Sequence, residues 1–325
     1  MRPAFSVIYL TTLIGAGQGL FLALYTSELY SVLAVLPAQS GRAFYALGSA
    51  LALLLLVAGL IASFFHLGRP ERAWRSAARW RTSWLSREVI ALPVFMAAVF
   101  TYGALHFMGW NPVLLTVGPG IALRVTLVAG TVGVVLCLTL FVCTGMIYAC
   151  LRFLQEWATP LTVVNFTLLG CASGFTLATA YAAYAGHGLV HFFGGWALIL
   201  TALSFAGRSA ALIRNARLRH KSSLQTAIGV RHTHIRQISQ GAMGGSFNTR
   251  EFFHGRSAAL LRTIKWGSTI LVFAVPAALL ATAMSGQRPA LLVAAFVLQY
   301  LGLLGERWLF FAQAEHPQNL YYQAA

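Results

Sequence analysis

Long apolar runs alternate with short polar connections from one end of the chain to the other. A bilayer core about 30 Å thick takes about 20 apolar residues per helical crossing. Eight runs reach that length, at 5–27, 44–65, 89–109, 121–147, 162–185, 190–213, 266–285 and 289–310. The pattern predicts an all-α integral membrane protein with eight transmembrane helices, organised as a single membrane domain over 1–325. Two polar stretches are longer than a turn, 66–88 and 214–265, and these are the expected large loops. The first run is too long for the apolar region of a signal peptide and has no small-residue cleavage site before Glu28, so it is read as a span.

Composition sharpens the reading. Hydrophobic residues make up 58% of the chain, charged ones 9%, and mean hydropathy is +0.72, which excludes a soluble domain. The formal net charge of +16 would suggest nucleic acid in a soluble protein. In a membrane protein it has another meaning, because cytoplasmic loops collect Lys and Arg. An even number of spans puts both termini on one side, here called side A. That side takes Arg2, the six arginines of 69–87, Arg152, the eleven basic residues of 208–265, and Arg307. Side B keeps only Arg42, Arg124 and Arg288. Side A is therefore expected to be the cytoplasm, with both termini and both large loops on it. A soluble partner would dock there, against a basic surface that also holds Phe247, Phe252 and Phe253 and a helix start at Asn248-Thr249-Arg250-Glu251. Cys137, Cys143, Cys150 and Cys171 form no CxxC pair, which argues against a disulfide framework or an iron–sulfur site in this chain.

Ionisable residues at span ends are the candidates for chemistry, since a charge near the bilayer is costly unless it is paired, wet or used. His66 closes the second span and Glu88 opens the third, so the two are expected at similar depth on side A, bordering one pocket. Imidazole and carboxylate could exchange the two protons of a quinone/quinol couple. The plainer reading makes them a C-terminal and an N-terminal helix cap, with Glu88 answering Arg87. Gln18, among Gly15, Gly17 and Gly19, points first to close helix packing. Glu28 is expected at the side B surface, and Asn165 and Gln299 as interhelical glue. His106, His187 and His191 fall near side B. Two of them could in principle hold a haem, but interfacial histidines are the stronger reading. Trp74, Trp80, Trp84, Trp157 and Trp308 read as an interfacial belt. No Walker loop, HExxH or GxSxG is present.

The block His66–Glu88, HLGRPERAWRSAARWRTSWLSRE, closely resembles the anchor subunits of dimethyl-sulfoxide-reductase-type molybdoenzymes. Pro3-Ala4-Phe5-Ser6, Ser246–Gly255 (SFNTREFFHG), Gly305–Phe311 (GERWLFF) and the tail from His316 to Tyr322 agree with it, so the resemblance covers the whole chain. It implies an eight-helix anchor without haem in a bacterial inner membrane. Such an anchor exchanges electrons between ubiquinone or menaquinone and a four-cluster iron–sulfur subunit, which serves a catalytic subunit holding a molybdopterin guanine dinucleotide. The family's quinone-site His and Glu map onto His66 and Glu88, and Arg69, Arg87 and Trp84 are carried over beside them as quinone-binding residues. The charge partition favours the branch in which cytoplasmic catalytic subunits oxidise sulfite and reduce quinone. An anchor that oxidises menaquinol for dimethyl sulfoxide reduction is the alternative. A secondary transporter would show internal repeats and midplane helix breaks, and no clear repeat is visible.

Overall fold

A computed structural model describes residues 4–37, 41–117, 121–185, 188–219, 223–235, 257–286 and 288–314. Among them are eight helices long and apolar enough to cross a membrane. The first six are α1 (Phe5–Val32), α2 (Arg42–Phe64), α3 (Trp84–Met108), α4 (Val125–Ala149), α5 (Pro160–Ala185) and α6 (Val190–Ala216). A short turn, α7 (Leu224–Ile228), lies beyond them. The seventh span is built from α8 (Ala258–Thr269), a π-helical turn (Ile270–Ala274) and α9 (Val275–Gly286), and the eighth is α10 (Pro289–Ala312). The helix start read at Asn248–Glu251, the loop phenylalanines, His187 and the tail from His316 lie outside the described residues.

The helices form two groups of four. One is α1 to α4. The other is α5, α6, the seventh span and α10. They meet along α1 and α5, whose apolar stretches are 72% and 67% buried, against 28% for α2 and for α6. A helix that is apolar on all sides belongs in the interior, and these two occupy it. Glycine permits the close crossing. A methyl group on Gly174 of α5 would overlap the backbone of Gly19 of α1, and one on Gly19 would meet Gly170 and Gly174. Gln18 in this seam donates to the Cys137 carbonyl of α4 at 2.9 Å, so the glycine cluster and its glutamine pack three helices together.

The other lone polar residues act as the pattern suggested. Asn165 Nδ2 donates to the Gly207 carbonyl of α6 at 3.3 Å. Gln299 Nε2 donates to the Val272 carbonyl at 3.2 Å. That second bond has a local cause. Pro276 has no N–H to offer the carbonyl four residues back, which is that of Val272. The backbone opens into a π-turn there, and Gln299 of α10 supplies the missing donor.

Three expectations change. Residues 121–124 are not helical. They form strand β2 (Ile121–Arg124), antiparallel to β1 (Val113–Val117), and α4 starts only at Val125. β-Branched and aliphatic residues suit either structure, and an apolar run does not by itself separate them. The seventh span begins earlier than residue 266, at Ser257, which caps it by accepting from Leu260 N at 3.3 Å. Arg208 and Arg307 are not surface charges of side A, since each is 4% exposed or less.

The N-terminal turns of α1 and the C-terminal turns of α10 share one cluster of Ile8, Leu154, Trp157, Phe166, Phe310 and Phe311. Trp157 Nε1 donates to the Phe310 carbonyl at 2.9 Å and fixes it.

Candidate functional site

The third helix decides what lies on side A. Ser83 stands in extended conformation and its hydroxyl accepts from Ser86 N, so α3 begins at Trp84 rather than at residue 89. Trp84, Arg87 and Glu88 therefore occupy the first two turns of a helix rather than a loop. Successive residues on a helix point about 100° apart, which sends Arg87 and Glu88 into different surroundings.

Glu88 turns inward and is 8% exposed. Its carboxylate accepts a hydrogen bond from the Thr144 hydroxyl of α4. It lines a cleft between α1, α3, α4, α5 and α10, together with Thr11, Gln18, Thr144, Ser173 and Arg307. The cleft is tight, with a cavity volume of about 10 Å³. That is room for about one water molecule. Its floor is charged. Arg307 lies 3.6 Å over the Phe166 ring and 3.5 Å from Glu306, which pairs with Arg208 Nε at 2.9 Å. Buried guanidinium groups need such partners, because an unpaired charge there is expensive.

Arg87 turns outward. It donates to the Trp80 and Arg81 carbonyls, each at 2.9 Å, and its guanidinium stacks 4.2 Å from the Trp84 ring. A guanidinium held over an indole is a cation–π pair with its direction fixed. The two residues form one end of an apolar groove on the lipid-facing side of α3 and α4. Trp80, Val94, Leu138 and Cys143 also line it, and its volume is about 650 Å³.

The two spaces border the same stretch of α3 and α4, which forms a wall between them. Arg87 and Cys143 line the groove, while the next residues, Glu88 and Thr144, line the cleft. A planar head group in the groove would have a cation beside it and a buried carboxylic side chain behind the wall. The groove size falls within the usual range for small-molecule sites, about 300–1,000 Å³. Its apolar walls suit a lipid-soluble ring, and Trp84 and Arg87 suit its polar edge.

A family model described as DMSO reductase anchor subunit (DmsC) matches residues 2–313. The chain belongs to this family. A relative from Allochromatium vinosum, one of the subunits of a sulfite dehydrogenase, is 60% identical over 324 residues, covering 100% of this chain and 99% of that protein.

In this DMSO reductase family anchor the expected site residues are spread over three surroundings. Glu88 is in the inner cleft, and Trp84 and Arg87 are in the lipid groove. His66 lies beyond the end of α2, exposed, as is Arg69 three residues further on. Partial burial moves the His66 imidazole below its ordinary value, so its neutral form is favoured. Neither described space is lined by His66 or Arg69. From Arg69 the chain runs into a 3-10 segment, Pro70–Arg79, with no buried residue, whose Trp74 and arginines face outward.

Several residues of the site were not singled out from the sequence. Thr144 carries no signal, because threonines are common in apolar helices. Glu306 and Arg307 do, being adjacent charges inside an apolar run. The Glu28 reading needs correction as well. Glu28 is buried, not at the surface, because Tyr102 and Thr126 donate to it at 2.6 and 2.5 Å. His106 lies 3.5 Å away and stacks on Tyr45. Among the described residues no three His, Cys, Asp or Glu side chains gather as a metal-binding group.

Proposed function

We propose that this chain is the quinone-reactive anchor of a molybdenum-dependent oxidoreductase, and that it takes the quinone head group in the groove between α3 and α4. The shared wall carries this reading, with Arg87 and Cys143 on the lipid side and Glu88 and Thr144 on the inner side. Reducing a quinone takes two electrons and two protons. Electrons arrive from an iron–sulfur partner docked on side A, where the exposed 3-10 segment and the basic loops lie. Protons need titratable groups near the ring, linked to water. Arg87, held by two backbone carbonyls and the Trp84 ring, orients the oxygen and stabilises negative charge on it. Glu88, gripped by Thr144, supplies or takes a proton. His66, neutral and at the water surface, exchanges protons with the cytoplasm. The catalytic subunit that holds molybdopterin guanine dinucleotide, and the four-cluster subunit between, sit outside the membrane on the same side.

The direction proposed is sulfite oxidation with quinone reduction. It rests on the relative that is part of a sulfite dehydrogenase and on the basic bias of side A. Assembled complex in native membranes tests the site. General acid–base groups typically contribute about 10²–10⁴-fold. Glu88→Gln and His66→Ala should each cut sulfite-to-quinone turnover by at least about tenfold, a cautious bound on that range. Sulfite oxidation by an artificial soluble acceptor should stay normal, because that route bypasses the membrane. Normal quinone turnover in both variants would remove these residues from the site. Sulfite-independent menaquinol oxidation coupled to dimethyl sulfoxide would reverse the direction and keep the anchor role.

A further inference from the structure

A second group of ionisable residues lies at the opposite end of the bundle, and quinone chemistry on side A does not use it. Glu28 stands one turn from the end of α1 and is 8% exposed. Two helices, α3 and α4, send it partners. From α3 come the Tyr102 hydroxyl at 2.6 Å and His106 Nε2 at 3.5 Å, and from α4 the Thr126 hydroxyl at 2.5 Å. The His106 ring is held between two aromatics, stacked on Tyr45 at 4.5 Å and edge-on to Tyr102 at 4.6 Å. Nothing in the packing of four apolar helices requires an acid and an imidazole at this depth, and such groups in spans are functional candidates by default.

The pair is not sealed in. A vestibule of about 540 Å³ opens above it, lined by Glu28, Ser31, Arg42, His106, Asn111 and Arg124. Its outer rim is formed by the residues before β1, by β2 and by Gly41, all on side B and none on the lipid-facing surface of a helix. Arg42 packs against Gly109, the left-handed residue that ends α3, and Arg124 donates to the Asn111 carbonyl at 3.3 Å. Both guanidinium groups are thus held at the rim by the chain itself. Farther inward along α1 and α3 come buried rings. Phe21 meets Tyr102 and Phe95 edge-on, each pair of centroids 5.5 Å apart, and all three are fully buried. Glu88 is 14 residues before Tyr102 on α3, about 21 Å along the helix axis.

We infer that Glu28 and His106 form a proton-binding site that exchanges with the aqueous phase on side B. The neutral imidazole takes one proton from vestibule water and becomes a cation against the Glu28 carboxylate, so the occupied pair carries no net charge. Tyr102 and Thr126 keep their protons and hold the carboxylate in place. The other charged groups facing the pair are Arg42 and Arg124, which oppose a further positive charge. The other titratable ones are Tyr45, Tyr102 and, beside Tyr102, Tyr25. The phenylalanines bar the way inward, so the proton enters and leaves on one side. The site does not depend on the quinone reading.

Full-length chain labelled with 15N-histidine, in sealed lipid vesicles, tests this by solid-state NMR, which separates neutral from protonated rings. One signal, absent in His106→Gln, should pass from neutral to protonated as side B is acidified and stay unchanged when only side A is. Without the carboxylate, in Glu28→Gln, the ring should hold its proton at least about tenfold more weakly, the size expected of a charge at that distance. Arg124→Gln removes a cation at the rim and should strengthen binding, which gives a second reading where Glu28→Gln fails to fold. A signal that never titrates in the folded protein, or that follows side A, overturns the proposal. So does a signal indifferent to both substitutions, which would leave the cluster as helix glue.

Discussion

Arg208, Glu306 and Arg307 show how much one carboxylate can hold. Glu306 faces both guanidinium groups, at 2.9 and 3.5 Å, and all three are nearly excluded from solvent. Glu306→Met leaves two buried cations without the carboxylate between them, whereas Arg208→Met leaves a neutral pair. Breaking a buried ion pair from one side typically costs about 3–5 kcal/mol. Glu306→Met should therefore lower the melting midpoint of the detergent-solubilised chain clearly more than Arg208→Met, and equal losses would contradict the geometry. His66 calls for a pH measurement instead. Its partial burial favours the neutral ring, so its value is lowered and the ring stays a proton acceptor to below about pH 6.5. As pH falls further it gains a proton and stops accepting one. Quinone-linked turnover should then drop on the acid limb, and His66→Gln should flatten that limb while lowering the plateau. At this scale the sequence was only partly legible. A His and a Glu at two span ends attract notice because charge is rare there. Thr144, which grips Glu88, is one hydroxyl among many. Glu28 was misplaced because α1 continues to Val32 and two donors, Tyr102 of α3 and Thr126 of α4, make burial tolerable.

Helices were far easier to read than single side chains, because about 20 apolar residues in a row have few other ways to satisfy their backbone in lipid. All eight spans came from that argument, with ends moved by a few residues where caps intervene, as at Ser83 and Ser257. Strand β2 was missed since its apolar residues run into those of α4 with only Arg124 between. Which helices are central was hinted at by the glycines around Gln18, and the reason is steric. The α1–α5 crossing allows no side chain at Gly174, so Gly174→Val should overpack it at a cost of about 1–3 kcal/mol or more. Gly195→Ala is the matching control, because a methyl group there meets nothing within 4 Å. A thermal melt showing the two variants alike would mean that the seam can relax. The π-turn at Ile270–Ala274 was beyond sequence reasoning in its detail, although Pro276 marks the place and Gln299 is the polar residue that repairs it.

The two proposals put quinone chemistry at one end of the chain and proton binding at the other, on opposite sides of an apolar middle. The proposal that both termini and the basic loops face the cytoplasm is open to direct measurement. A tag on the C-terminus should be reached from outside in inverted vesicles and be protected in right-side-out ones. The reverse result would turn the molecule over and remove the ground for preferring sulfite oxidation. With buried Arg208 and Arg307 set aside, basic residues still divide 18 to 3 in favour of side A, and this is the ground for the orientation, because lysine and arginine are retained where insertion leaves them. The cleft, the groove and the wall between them were not legible, since they depend on the rotation of α3 and α4 about their axes. That wall has a pharmacological side. The groove runs along apolar outer faces of α3 and α4, so a compound that fills it is expected to reach it through the bilayer. Its potency is then set by moles of inhibitor per mole of lipid, and the same dose weakens as membrane is added.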